Sequence, residues 1–122
     1  MEFWPKTTMK KLITIAERHN SDKDILKREL SNHIEEWNKE YKNLFRLTEL
    51  DWYDNFGMLK IIITAHGKAE EETYIVFNLS EDQIRVLMEL PETIDIYAFT
   101  LEAVVKKKLK EVIKICEENV VK

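Results

Sequence analysis

Glycine is nearly missing from this chain. Its 122 residues include only Gly57 and Gly67, where average usage would supply about eight or nine. Two glycines ten positions apart make neither a dinucleotide fingerprint nor a P-loop, because both need backbone free of Cβ against a phosphate. A single cysteine, Cys116, excludes an intramolecular disulfide and a cysteine-rich zinc site. Ser21, Ser31 and Ser80 lie in no Gly-x-Ser-x-Gly setting, so the nucleophile elbow is absent too. No apolar run reaches the roughly 18 residues of a membrane span. The start, Met1-Glu2-Phe3-Trp4-Pro5, lacks the apolar core of a signal peptide. With one free thiol, these absences predict a cytoplasmic protein that neither enters a membrane nor carries a cofactor.

What is present suits one globular domain spanning 1–122, with 1–5 as a loose or partner-docking arm. Apolar residues make up 44% of the chain, enough to build a core, and charged residues make up 34%, enough to cover it. Lysine-rich, glutamine-poor composition is shared by hyperthermophile proteins and by AT-rich coding.

Periodicity predicts the elements. Met9, Leu12, Ile13 and Ala16 recur at helical spacing, so a first helix is expected from Pro5 or Thr8 to His19. Ser21 and Asp24 resemble a capping box. Behind them Leu26, Leu30, Ile34, Trp37, Tyr41 and Leu44 mark one face of a long second helix. Residues 46–53 read as strand or aromatic loop, and Asp54 to Gly57 as a turn. Met58–Ala65 and Thr73–Leu79 alternate and form a hairpin, with His66 and Gly67 in the loop between them. Ser80-Glu81-Asp82-Gln83 is a capping box that opens a third helix, ended by Pro91. Thr93–Phe99 reads as a short edge strand. Thr100 caps a last helix whose apolar arc runs through Leu101, Val105, Leu109, Val112 and Cys116. The expected fold is α+β, with about four helices packed on a small antiparallel sheet around a central hairpin, 58–79.

Several features suggest chemistry, and each has a plainer reading. Residues 12–28 resemble a helix-turn-helix with Lys27 and Arg28 offered to DNA. Asp22, Asp24 and the overall acidity oppose phosphate binding, so a helical hairpin is favoured and nucleic acid is an unlikely partner. Lys106, Lys110 and Lys114 offer an anion or nucleotide site beside Trp52 and Tyr53, against the plainer reading of a solvated helix face. Glu29, His33 and Glu36 share one helix face, but no other helix supplies matching ligands, so no metal is expected. His66 near Glu70–Glu72 offers an acid–base pair of a kind that loops contain routinely, and no catalytic residue is expected. Cys116 falls on a buried face as an inert hydrophobe.

The stronger signal is surplus apolar surface. Both faces of the hairpin are apolar, and Phe3, Trp4, Trp52, Tyr53, Phe56 and Tyr74 add aromatic area. These six residues are the expected interface. Residues 69–102 hold nine acids against Arg85 alone, an acidic flank that would steer the interface to a basic protein surface. The leading expectation is therefore a non-enzymatic protein-binding module (an inhibitor, immunity or accessory protein) that also self-associates as a homodimer. A ligand-sequestering or sensing protein and a DNA-binding regulator are the alternatives.

Overall fold

A computed structural model of the chain describes residues 10–64, 71–91 and 98–120. Five segments in it alternate buried and exposed side chains with the period of two that marks a strand facing a core on one side. They are β1 (Lys10–Arg18), β2 (Phe45–Tyr53), β3 (Phe56–Ile63), β4 (Glu71–Leu79) and β5 (Gln83–Pro91). All pair antiparallel in one sheet, in the order β1-β5-β4-β3-β2. The helices number two, one of them bent: α1 (Lys23–Asn32) runs on through His33 into α2 (Ile34–Glu40), and α3 (Ala98–Val120) follows the sheet. The expectation of about four helices on a small sheet is therefore overturned, while the α+β class stands.

Two expected helices are strands. In β1 the β-branched run Ile13-Thr14-Ile15 suits extended backbone. Ile13 and Ile15 are buried while Leu12 and Thr14 are exposed. In β5 the buried residues are Ile84, Val86, Met88 and Leu90, an alternation that also satisfies part of a helical pattern. The Ser80–Gln83 capping box is in fact a hairpin turn, in which Ser80 N–H donates to the Gln83 carbonyl at 2.8 Å. The expected edge strand at 93–99 is corrected in part. Residues 92–97 lie outside the described residues, and Ala98 and Phe99 open α3.

The long second helix bends at His33. The ring Nδ1 donates to the Glu29 carbonyl at 2.8 Å, the same oxygen that the His33 backbone N–H reaches at 3.2 Å. A side chain inserted into the helical ladder in this way produces a bend. Asp22 caps α1 through bonds from Asp24 N–H and Ile25 N–H, in place of the expected Ser21–Asp24 box. The bend leaves the apolar face intact. Leu26 and Leu30 are buried, and Ile34, Trp37, Tyr41 and Leu44 pack against the core.

That core lies between the helices and one face of the sheet. Ile13 and Ile15 from β1, Leu59 and Ile61 from β3, and Ile75 and Phe77 from β4 meet Leu101, Leu109 and Val112 of α3. At the β2 edge the ladder is disrupted by a one-residue bulge between Leu47 and Leu50. The Asn38 side chain closes the open edge there. Its amide nitrogen donates to the Leu47 carbonyl at 2.9 Å, and its oxygen accepts from Leu47 N–H at 2.7 Å. Gly57 lies in β3 rather than in the turn, which is Asp54-Asn55 with Asp54 in the left-handed region at φ 59°. Glycine is needed at 57 because a Cβ there would stand 2.8 Å from the Trp52 ring.

Two substitutions test this description by denaturant unfolding. Asn38→Leu should cost about 1–3 kcal/mol, since it strands a backbone donor and acceptor together. Gly57→Ala should cost about 1–3 kcal/mol and shift the tryptophan emission, because the Trp52 ring must move.

Candidate functional site

The backbone of α3 approaches α1 and β1 most closely. Its C-terminal half is anchored, with Asn20 N–H donating to the Glu117 carboxylate at 3.0 Å and Cys116 fully buried. Beneath its N-terminal half lies a narrow apolar cleft of about 40 Å³. That is room for a few water molecules, short of the roughly 300–1,000 Å³ of a small-molecule pocket, so an occupant must widen it. Leu47, Leu59, Ile61, Ile75 and Phe77 form its floor on the sheet. Leu30, Trp37 and Tyr41 wall one side, and Leu101, Val104, Val105 and Leu109 of α3 close the other.

The one charged side chain in the lining is Lys108. Its ammonium bonds Glu40 at 2.9 Å and Glu111 at 3.3 Å, and sits 5.6 Å from the centre of the Tyr41 ring. Burial alone would lower its pKa, but the bonds it donates to Glu40 and Glu111 outweigh it, and the net shift is upward. The Glu40 carboxyl is held below its ordinary range, chiefly by its hydrogen bond from Lys108. Burial raises the Tyr41 phenol. Two carboxylates thus answer one ammonium, so the mouth of the cleft has no cationic surplus. The Tyr41 phenol hydrogen-bonds the same ammonium.

The residues expected to form sites fall in different places. Tyr53, Phe56 and Tyr74 share the sheet face opposite the cleft, and all three are exposed. Trp52 points the other way, its ring 6.0 Å from Phe77 and 5.6 Å from the Lys27 ammonium. Its indole N–H is buried and meets no acceptor among the described residues. Phe3, Trp4 and His66 lie outside the described residues. Lys106, Lys110 and Lys114 are exposed and do not line the cleft. Residues 10–18 are a strand, so the first helix of a helix-turn-helix is not formed.

Glu29 and Glu36 flank the His33 ring at 3.8 and 3.9 Å, while its Nδ1 is engaged by the Glu29 carbonyl. Among the described residues no group of three His, Cys, Asp or Glu side chains is arranged to hold a metal ion. His19, buried at the end of β1, has a structural role. Its Nε2 donates to the Ser80 carbonyl at 2.9 Å, and its Nδ1 accepts from Ser21 N–H at 3.1 Å. No described helix is long and apolar enough to cross a membrane.

Lys108, Tyr41 and Trp37 are the residues that sequence reasoning missed as a group. The available signal was Lys108 itself, the one charge at the i+7, i+4 and i+3 positions from Leu101, Val104 and Val105. A long charged side chain on an apolar arc buries its stem and keeps its head at a border with water. Compared with family models, curated proteins and solved structures, the chain matches none.

Cys116 gives a pH test of the anchored half of α3. Burial pushes its thiol from an ordinary 9.0 up to about 11. The folded state therefore holds this proton more tightly than the unfolded chain, and the associated stability is lost as pH rises from about 9 to about 11. The stability difference between the wild type and Cys116→Ala should narrow over that window in urea titrations. The thiol should react with a disulfide reagent only as fast as the protein opens.

Proposed function

We propose that this protein is a non-enzymatic binding protein for a small, uncharged, largely apolar molecule held in the cleft between the sheet and α3. The observation that carries this reading is a narrow apolar cleft with one polar group at its mouth, a lining of small-molecule type that α3 must move outward to open. It revises the expected anionic ligand. The exposed lysines of α3 stand away from the cleft, and Lys108 is already answered by Glu40 and Glu111. A neutral ligand with a single acceptor, such as a ketone or ether oxygen, suits the polar Lys108–Tyr41 pair at the mouth. A lone buried thiol suits a reducing compartment, in keeping with a cytoplasmic location.

A second reading, the protein-binding module, is favoured by the exposed aromatics Tyr53, Phe56 and Tyr74. The charges that share their face have both signs, with Arg46, Lys60 and Arg85 among Asp51, Glu72 and Glu89. Mixed charge of this kind supports a self-complementary partner better than a uniformly basic one.

Titration with acdan, a neutral naphthalene dye with a ketone, tests the cleft. Saturable one-to-one binding with blue-shifted emission is expected, at a dissociation constant of about 1–100 µM. An anionic naphthalenesulfonate should bind more weakly. Val105→Trp, which fills the cleft, should weaken acdan binding at least about tenfold while the fold persists, and Lys108→Met should weaken it by about tenfold. Acdan binding that is non-saturable, or indifferent to Val105→Trp, would overturn the reading.

A further inference from the structure

The sheet face opposite the helices is uncovered by any described helix, and its composition is unusual for a surface. Leu12 is 57% exposed, Tyr53 62%, Phe56 42% and Tyr74 47%. Between them lie Met58, Val76 and Leu87, only partly buried by their neighbours on the sheet. Strand register arranges these residues in rows. The central row reads Thr14, Leu87, Val76, Met58, Asp51 from β1 to β2. The row on one side reads Ala16, Arg85, Asn78, Phe56, Tyr53. On the other side Leu12 pairs Glu89 and Tyr74 pairs Lys60, and the same register sets Glu89 beside Tyr74.

We propose that this face binds a second copy of the chain, about a two-fold axis running along β4. Such an axis lays β4 on β4 and β5 on the other copy's β3. Val76 then meets Val76, Leu87 meets Met58, and Tyr74 meets Tyr74. The polar groups match as well. Glu89 of one copy meets Lys60 of the other, whose ammonium also stands 3.6 Å from its own Glu72; Arg85 lies over the Phe56 ring, and the Thr14 hydroxyl meets the Asp51 carboxylate. A two-fold axis across the strands would instead set Asp51 on its own copy, which opposes that arrangement.

The size suits a dimer. Five strands of eight or nine residues span roughly 24 by 30 Å at the usual strand spacing and rise. That is about 700 Å² of sheet plane per copy, or about 1,400 Å² in the pair, within the range of stable interfaces. Strands of two such sheets run nearly aligned, as this axis requires, with about 30° of relative twist. The contact lies on the side away from the cleft, so it is independent of ligand binding there.

Sedimentation equilibrium of the full chain at about 50 µM tests the proposal, and a dimer is expected. Lys60→Glu and Glu89→Lys should each raise the dimer dissociation constant at least about tenfold, and the double variant should restore much of the loss. Tyr74→Arg, exposed in the single copy and thus compatible with folding, should also dissociate the pair. Circular dichroism and the unfolding midpoint confirm that each variant is folded. A wild-type monomer at this concentration overturns the proposal. So does a dimer indifferent to both charge reversals and to Tyr74→Arg, since its interface would lie elsewhere.

Discussion

A five-stranded sheet has two faces to satisfy, and the described residues carry helix enough for one. α1, α2 and α3 all pack against the same side, where Ile13, Leu59, Ile61, Ile75 and Phe77 converge with Leu26, Leu30, Leu109 and Val112. The rest of the molecule follows from that shortage. One layer of helices over a sheet makes a two-layer fold, and its apolar stripes meet in a single interior. The uncovered face keeps its mixture of aromatic and charged side chains because nothing within the described chain is available to hide them.

The same shortage shapes the interior. The backbone of α3 comes closest to α1 and β1, and over the rest of the sheet it packs through Leu101 and Leu109. A side chain large enough to fill the gap would have closed it, but Val104 and Val105 stand where a leucine or phenylalanine would reach further. Protein interiors are normally packed with few voids larger than a water molecule. The gap of about 40 Å³ left beneath α3 costs some dispersion contacts.

How much of this was legible depended on which periodicity dominated locally. β3 and β4 were readable because the runs Ile61-Ile62-Ile63 and Thr73-Tyr74-Ile75-Val76-Phe77 are β-branched and aromatic. β5 was not, because Glu81, Leu87, Met88, Glu89 and Leu90 are good helix formers and the hairpin turn at Ser80–Gln83 imitates a helix start. β1 failed for the opposite reason: Met9, Leu12, Ile13 and Ala16 fit a helical wheel, although the consecutive β-branched residues prefer extended backbone. In both places the neighbouring strand decided, since β1 and β5 pair with each other along their full length. The stripe on α1 and α2 was legible, whereas the bend at His33 was not, as it depends on a side chain turning back on its own helix. The cleft itself could not be read from any motif. Its polar group was visible only as a lysine out of place on an apolar arc.

The Asn38 amide sits on the outer edge of β2 where another strand would otherwise add, and the adjacent bulge spoils the ladder further. No comparable clamp closes β1 among the described residues. Leu47 is closed to a further strand by that amide, so one asparagine protects the β2 edge at its bulge.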